Sequence, residues 1–341
     1  MAGEPSLHVE RRGSGPPLLL VHGIGHRWQA WEPVMDLLAA HHDVIAVDLP
    51  GFGRSPLPAG GRLDVAALVA AVRGLADELG LVRPHVAGNS LGGAIALELA
   101  MSGAVASATA LSPAGFYTAQ EARRAGLILG WLRAQSFLPV PVLRAALAVP
   151  AVRRSAFGTL VVHPDRLDRE RMLGDTLALR RGKGFSPVAR SLRDYRFQAG
   201  GLAVPPAGAA VAGVAATAGD GDGGAVVSDR DGGVAGDGGA AAGAGDGGAA
   251  AGGGDGGAAV GDGGTAGGPV PVTVAWGERD RILPPREAAR AREALPWARH
   301  VTLPGCGHVP MSDDPELVAL TILRTTGAAP AADPTAGAAD R

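Results

Sequence analysis

The 341-residue sequence predicts an α/β protein whose mostly parallel sheet is covered by helices on both faces. Short β-branched segments alternate with longer runs of helix formers over most of the chain, which is typical of parallel strands joined by crossover helices. Several predicted strands are followed directly by a polar side chain suited to catalysis. Because the carboxyl ends of parallel strands meet at one edge of a sheet, these side chains are expected to converge there.

The predicted strands are short apolar segments bounded by turn residues. They span 7–10, 18–22, 44–47, 84–87, 105–111, 270–275 and 300–303. The helices between them are predicted from runs of helix formers, and they span 31–40, 64–79, 93–101 and 285–295. In the second of these helices Leu68, Val72 and Leu75 share one face, and Gly80 supplies a stop signal. A right-handed crossover between parallel strands requires helices of this kind.

Residues 114–203 interrupt this alternation and are predicted to form consecutive helices. The first begins with the capping-box pattern Thr118-x-x-Glu121, and the last is opened by Ser186 and Pro187. We interpret the segment as a helical cap inserted over the active site after the sixth strand. Its first half is strongly apolar. Core packing and an acyl pocket are the favoured interpretations of that apolar half, and a membrane-docking face is the remaining one.

A Gly-x-Ser-x-Gly motif lies between the predicted strand 84–87 and the helix that follows it. In a chain with 54 Gly the pattern alone is also compatible with an ordinary turn. In a sharp strand-to-helix turn, however, the central residue takes up strained backbone geometry, and flanking glycines relieve the crowding. Ser90, between Gly88 and Gly92, is therefore predicted to be a nucleophile.

Candidate partners for Ser90 follow the last two predicted strands, where Asp280 and then His308 lie. A serine nucleophile needs a base to take its proton and a carboxylate to hold that base. The residues that follow the strands supply both functions. Glu278 is the alternative to Asp280 as the orienting acid.

Acyl transfer also needs donors for the oxyanion that forms, and two backbone N–H groups commonly supply them. We predict one from Leu91, at the start of the helix after the nucleophile, where free N–H groups and the helix dipole favour negative charge. The second is predicted from Ile24, in the glycine-rich loop after strand 18–22. His22 is expected to order that loop through hydrogen bonds.

Together these motifs resemble the α/β-hydrolase fold superfamily, in particular its capped serine esterases and lipases. The matching segments are 22–25, 48–55, 88–92, 276–280 and 307–310. The resemblance implies a triad of Ser90, Asp280 and His308, with Asp280 preferred over Glu278, and no metal or organic cofactor. Haloalkane dehalogenases and epoxide hydrolases use an aspartate nucleophile, so the serine at position 90 matches them poorly.

The resemblance and the composition together divide the chain. We expect a hydrolase core, a helical cap, a disordered low-complexity insertion of Gly, Ala and Asp, and a disordered tail. Such an insertion cannot bury enough apolar surface to offset its chain entropy. The expected bounds are 1–113 and 269–327 for the core, 114–203 for the cap, 204–268 for the insertion and 328–341 for the tail.

The predicted function is hydrolysis of a carboxylic ester of a small, largely apolar substrate through an acyl-enzyme. Two alternatives remain open. A carbon–carbon bond hydrolase of ring-cleavage products is one, because Asn89 before Ser90 resembles that subgroup. The other is a non-catalytic protein that binds a hydrophobic ligand on the same fold.

Composition narrows the class of partner. The chain has 31 basic and 33 acidic residues, a net charge of −2, which gives no indication of a nucleic-acid partner. Its apolar runs are too short or too interrupted for a membrane span. No secretory leader pattern is present at the N-terminus, and Cys306 is the single cysteine. These features predict a cytoplasmic protein that acts on a small molecule; the oligomeric state is not fixed by the sequence.

Overall fold

Seven strands form one mostly parallel sheet in the described part of the chain. The computed structural model describes residues 6–58, 63–202 and 270–329. The strands are β1 (Val9–Arg12), β2 (Pro17–Val21), β3 (Asp43–Val47), β4 (His85–Asn89), β5 (Ser107–Leu111), β6 (Val272–Gly277) and β7 (Arg299–Leu303). Their order is β1-β3-β2-β4-β5-β6-β7, and only the β1–β3 pair is antiparallel. The predicted sheet type is confirmed.

Eleven α-helices connect the described strands or follow them. They are α1 (Glu32–Ala39), α2 (Val65–Glu78), α3 (Leu91–Met101), α4 (Ala119–Gln135), α5 (Val140–Ala148), α6 (Pro150–Phe157), α7 (Arg169–Arg181), α8 (Phe185–Asp194), α9 (Arg286–Ala294), α10 (Pro310–Asp313) and α11 (Pro315–Thr326). One-turn 3₁₀ helices precede α1 and α7.

The helices lie on both faces of the sheet, because successive side chains of a strand point to opposite sides. In β2, Leu19 and Val21 belong to the same buried cluster as residues of α2 and α3. Leu18 and Leu20 belong to the other cluster, with residues of α1 and α11. All four side chains are almost completely buried, and each such burial contributes about 1.5–3 kcal/mol. The prediction of helices on both faces is confirmed.

The strand order places the candidate site between β2 and β4. The chain passes from β2 to β3 on one side and later returns to β4 on the other side of β2. Such a reversal opens a crevice beyond the carboxyl ends of the two central strands, where ligands bind in open α/β sheets. The loops that follow β2 and β4 carry Ile24 and Ser90, respectively.

The helices α4–α8 lie between β5 and β6, within the segment predicted as a cap. The predicted position after the sixth strand needs correction, because the insertion follows the fifth described strand. A single strand, β1, precedes β2 in the described N-terminal segment. The predicted capping box is present, since the Glu121 N–H donates to Thr118 and the Thr118 N–H donates to Glu121.

Hydrogen bonds connect the end of the helical insertion to α3, the helix that follows Ser90. The buried Glu98 of α3 accepts a hydrogen bond of 2.7 Å from the Tyr195 hydroxyl and another of 2.7 Å from the Leu202 N–H. A hydrogen bond inside a protein typically contributes about 0.5–1.5 kcal/mol. These two bonds tie the segment after α8 to α3.

Within the described ranges, no single helix is both long enough and apolar enough to cross a bilayer. Taken together, α4 and α5 satisfy the length and composition criteria, but the chain bends by 110° between them.

Two sequence predictions concern residues beyond the described ranges. The predicted low-complexity insertion, 204–268, lies outside the described residues, as do residues 330–341 of the predicted tail. The start of that tail is still bound to α11, because the N–H groups of Ala328 and Ala329 donate to the Leu323 carbonyl.

Candidate active site

The turn from β4 into α3 holds Ser90 in strained geometry. Ser90 has φ 56° and ψ −113°, a conformation that costs a residue other than glycine about 1–3 kcal/mol. The glycines on either side are required by close approach. A Cβ atom at Gly88 would lie 2.0 Å from the Gly92 carbonyl oxygen, and one at Gly92 would lie 2.0 Å from the Val21 carbonyl oxygen. The turn has the strained geometry that the motif predicts.

Asp280 and His308 come together beyond β6 and β7. His308 Nδ1 lies 2.8 Å from Asp280 Oδ2, and the Asp280 side chain is fully buried. Asp280 Oδ1 accepts hydrogen bonds of 2.9 Å from the N–H groups of Ile282 and Leu283. The carboxylate is therefore fixed in orientation and accepts from Nδ1–H, which leaves Nε2 of His308 free to act as a base.

Ser90 and His308 lie on neighbouring segments. The Asn89 side chain, adjacent to Ser90, donates to the His308 carbonyl oxygen at 2.9 Å and to the Leu111 carbonyl oxygen at 3.2 Å. Within the described residues the Ser90 hydroxyl makes no hydrogen bond, including none to His308. In unliganded active sites this contact is often long and tightens only when substrate binds.

Glu278, the alternative acid, lies elsewhere. Its exposed carboxylate accepts a hydrogen bond of 2.9 Å from the Gly305 N–H. The structure thus brings Asp280, and not Glu278, to His308. Cys306 is fully buried, and burial raises the pKa of its thiol to about 12, so this thiol is protonated at neutral pH.

The two predicted oxyanion donors border the Ser90 turn. Leu91 is the first residue of α3, so its N–H has no acceptor inside the helix. The loop that carries Ile24 also reaches the turn, since a Cβ atom at Gly23 would lie 3.3 Å from the Ser90 Cβ atom. Both N–H groups therefore belong to backbone that closely surrounds the serine.

His22 joins the loop after β2 to the loop after β3. Its Nδ1 lies 2.7 Å from the Gly23 carbonyl oxygen, and its Nε2 accepts from the Leu49 N–H at 3.0 Å. This pattern assigns the neutral tautomer with the proton on Nδ1. Because His22 is fully buried, its pKa falls to about 4. The role expected for His22, ordering the loop, agrees with these contacts.

A largely apolar cavity of about 150 Å³ lies beside this loop. Ile24 and Val309, next to His308, line it from the core, and leucines of α4, α5 and α7 line it from the helical insertion. Two of its polar residues, His26 and Asp175, carry buried atoms without a hydrogen-bond partner in the described residues. Burial lowers the pKa of His26, so its imidazole is neutral at neutral pH.

Asp313 positions the His308 loop and was not identified from the sequence. Its Oδ2 accepts from the Gly307 N–H at 2.8 Å, while its Oδ1 accepts from the N–H groups of Val162 at 2.8 Å and His163 at 3.1 Å. One buried carboxylate therefore connects the residue before His308 to the helical insertion. In the sequence Asp313 is followed by Asp314, and this pair of acids did not indicate the role of Asp313.

Glu287 of α9 is the other group that the sequence did not reveal. Its side chain is fully buried, and neither carboxyl oxygen has a hydrogen-bond partner in the described ranges. Burial, with smaller contributions from the charges of Glu121 and Asp280, raises the pKa of Glu287 to about 8. A neutral Glu287 avoids placing a second negative charge near the Asp280–His308 pair.

No group of three or more His, Cys, Asp and Glu side chains within 6–58, 63–202 and 270–329 is arranged to hold a metal ion. The region beyond the strands contains the Ser90 hydroxyl, the His308 imidazole and the Asp280 carboxylate. These groups can support proton transfer and nucleophilic attack.

The model of the family described as alpha/beta hydrolase fold matches residues 16–315. The chain belongs to this family. The resemblance inferred from the sequence motifs is thereby confirmed.

Two curated relatives of this α/β-hydrolase are named hydrolases. A pimeloyl-[acyl-carrier protein] methyl ester esterase of Aeromonas salmonicida is 41% identical over 100 residues, which cover 28% of this chain and 37% of the relative. A 2-hydroxy-6-oxo-2,4-heptadienoate hydrolase of Pseudomonas putida is 39% identical over 104 residues, which cover 30% of this chain and 38% of the relative. Each match spans well under half of the relative's length.

Solved structures resemble the α/β-hydrolase over nearly its whole length. A thermophilic esterase from Thermogutta terrifontis has a TM-score of 0.58 and 19% sequence identity, and the match covers 94% of this chain and 93% of that one. At 19% sequence identity, this structural similarity shows a shared fold only.

The buried His22 makes the stability of this α/β-hydrolase depend on pH. Its pKa is about 4 in the folded protein and 6.5 in the unfolded chain, so the unfolded chain binds the proton more tightly. Stability from neutral His22 is complete above pH 6.5 and is lost as the pH falls to 4, by about 3 kcal/mol. Urea unfolding of wild type and His22→Gln between pH 4 and pH 6.5 measures this loss of stability. Parallel curves for the two proteins would contradict the buried neutral imidazole.

The buried Glu287 is expected to make the stability of the protein depend on pH in the opposite direction. The pKa of Glu287 is about 8 in the folded protein and 4.5 in the unfolded chain. Its contribution to the free energy of unfolding is therefore complete below pH 4.5 and is lost as the pH rises to 8. The loss is on the order of 4–5 kcal/mol. Glu287→Gln removes this slope, and urea unfolding between pH 5 and pH 8 compares the two proteins. An identical decline in wild type and variant would show that Glu287 is ionised throughout.

Proposed function

We propose that this α/β-hydrolase is a serine hydrolase that cleaves carboxylic esters of small, largely apolar substrates through an acyl-enzyme. The observation that carries the proposal is the 2.8 Å contact between His308 and the buried Asp280, on the segment next to the strained Ser90 turn. A held imidazole beside a hydroxyl in such a turn is the arrangement that nucleophilic serine catalysis requires.

In the first step the Ser90 hydroxyl attacks the ester carbonyl while His308 Nε2 takes its proton. Asp280 holds the imidazole through Nδ1–H and stabilises the positive charge that develops on it. The tetrahedral intermediate then collapses, the carbon–oxygen bond of the ester breaks, and His308 returns the proton to the leaving alcohol. The acyl group remains on Ser90.

In the second step water repeats this route. His308 accepts a proton from water, the hydroxide attacks the acyl carbonyl, and Ser90 leaves with the proton that His308 returns. The N–H groups of Ile24 and Leu91 are assigned to the oxyanion in both steps. Loss of one such donor typically costs on the order of 100-fold to 1000-fold in turnover.

The helical insertion is proposed as a cap that supplies the acyl pocket. Residues of α4–α7 and of the core line the same cavity, whose volume is about 150 Å³. An apolar cavity of that size holds a group of roughly the size of benzene. Small aliphatic or aromatic acyl groups are therefore the substrates that the pocket favours.

A carbon–carbon bond hydrolase is the second candidate, favoured by the relative from Pseudomonas putida that is 39% identical over 104 residues. The name of that relative's substrate describes a carboxylate. The described residues that line the cavity include Asp175 and no arginine or lysine, which disfavours an anionic substrate. Asn89 also has a structural use, because it binds the His308 carbonyl oxygen, so its presence is not specific to that chemistry.

The Ser90→Ala variant tests the ester hydrolase directly. Because the nucleophile is lost, turnover of an activated ester such as p-nitrophenyl butyrate is expected to fall on the order of 10⁶-fold. Steady-state hydrolysis by purified wild type and variant measures the effect.

Ser112→Ala is the matched control for this substitution. Ser112 is buried, follows the neighbouring strand β5 and also has a positive φ, of 42°, but lies outside the proposed mechanism. Its activity is expected to stay within about tenfold of wild type. Turnover by Ser90→Ala at the wild-type rate would refute the acyl-enzyme, and an inactive wild type that binds apolar ligands would favour the non-catalytic alternative.

A further inference from the structure

The outer surface of the helical insertion is unusually apolar. Eleven large hydrophobic side chains are exposed in the described residues, and seven of them lie between positions 127 and 152. We call this surface the α4–α6 face, and its members are Leu127, Trp131, Phe137, Leu138, Val142, Val149 and Val152. A concentration of exposed apolar side chains in one segment points to an interaction site.

The face follows from the spacing of residues along α4. Leu127 and Trp131 are one helical turn apart and are 75% and 53% exposed, and Phe137, just beyond the helix, is 58% exposed. The other side of α4 packs on the protein through Ala122 and Ala125. The large apolar residues are thus on the outward side, where a helix of a globular protein ordinarily carries polar ones.

All charged residues of the same segment have one sign. Residues 122–164 contain six arginines, at positions 123, 124, 133, 144, 153 and 154, and no Asp or Glu. The charged residues in this stretch of sequence are therefore all arginines, although Arg153 and Arg154 pair with Asp165, just beyond it.

Two of these arginines are available to an external partner. Arg123 and Arg124 are exposed on α4 and form no ion pair within the described residues. Arg144 is exposed as well, although it pairs with Glu170 at 2.9 Å. Arginine on the flank of exposed aromatic and aliphatic side chains is the combination that interfacial helices use on anionic lipid.

The cavity reaches the surface at this same face. Leu138 and Val152 belong to the exposed face and also line the cavity beside Ile24. An apolar molecule that lies against the α4–α6 face would therefore meet the mouth of the cavity.

We infer that the α4–α6 face docks on the surface of an anionic phospholipid bilayer. The apolar side chains enter the interface between headgroups and acyl chains, and the arginines bind the headgroup phosphates. The 110° bend between α4 and α5 suits helices that lie in the interface.

A second copy of the chain fits this face less well. Two-fold pairing would bring the same patch of both copies together, and Arg123 and Arg124 of each copy, which form no ion pair within the described residues, would repel those of the other. An anionic bilayer supplies the opposite charge over an extended area. Delivery of apolar esters from the bilayer to Ser90 is a consequence that rests on the proposed function, whereas docking does not.

Vesicle binding by the full chain tests the inference without any catalytic readout. The probes are vesicles of phosphatidylcholine alone and of phosphatidylcholine mixed with phosphatidylglycerol, sedimented with the protein at low and at high salt. Binding is expected only to the mixed vesicles and is expected to weaken with salt, because screening shortens the reach of the charges. Failure to sediment with the mixed vesicles, or equal binding to both compositions, would overturn the proposal.

Substitutions on the apolar side locate the contact. Trp131→Ala combined with Phe137→Ala is expected to weaken vesicle binding by about tenfold or more, because two large apolar side chains no longer enter the interface. Trp297→Ala is the matched control, since Trp297 is 46% exposed and precedes the edge strand β7, outside the α4–α6 face. Equal binding by the double variant and wild type would contradict the assignment.

Substitutions of charge test the electrostatic part. Arg123→Gln with Arg124→Gln is expected to weaken binding by roughly tenfold or more, at about fivefold for each charge near an anionic surface. The control pair, Arg292→Gln with Arg299→Gln, removes two exposed arginines outside the face and is expected to bind as wild type does. The same loss in both pairs would show that net charge alone is responsible, and would overturn docking through this face.

Two further measurements distinguish membrane docking from catalysis and from dimerisation. Ser90→Ala is expected to bind vesicles as wild type does, so loss of hydrolysis with retained binding would refute only the proposed function. Sedimentation velocity without lipid is expected to give the same species for wild type and for Trp131→Ala with Phe137→Ala. A dimer that this double variant dissociates, together with no vesicle binding, would show that the face joins two copies of the chain.

Discussion

The close approach of α3 to the carboxyl end of β2 is the constraint on which the site depends. Gly92 presses against the Val21 carbonyl and Gly88 against the Gly92 carbonyl, each within a distance that excludes a side chain. That contact forces the strained geometry of Ser90, and the packed sheet must offset the strain. It also brings the start of a helix, with its free N–H groups, next to the loop after β2. Nucleophile and oxyanion donors therefore share one structural cause.

Two kinds of buried polar group surround the site: carboxylates that accept several hydrogen bonds, and titratable groups that are neutral at neutral pH. Asp280 and Asp313 are ionisable groups saturated with hydrogen bonds, and they fix the imidazole of His308 and the backbone before it. His22 and Glu287 are buried groups whose pKa values shift so that both are neutral at neutral pH. Neutrality removes the cost of a buried charge and leaves Asp280 as the dominant negative charge beside His308.

Much of this was predictable from the sequence, because the chemistry follows directly after strands. Period and composition identify strands, and residues just beyond their carboxyl ends must share an edge. Asp280 and His308 were readable for that reason. Glu287 and Asp313 were not, because the side of a helix that becomes buried is decided by its packing partners. The number of strands before the helical insertion also needed the structure, because the sequence pattern does not show which short apolar segments join the sheet.

The central claim is that Ser90 is made reactive by His308, and covalent labelling tests it most directly. A fluorophosphonate is incubated with the protein, and the modified peptide is mapped by mass spectrometry. A single adduct on Ser90 is expected in wild type, and labelling is expected to be slower by on the order of 1000-fold or more in His308→Ala, where the serine remains but its base is gone. An adduct on another residue, or unchanged labelling of Ser90 in His308→Ala, would contradict it.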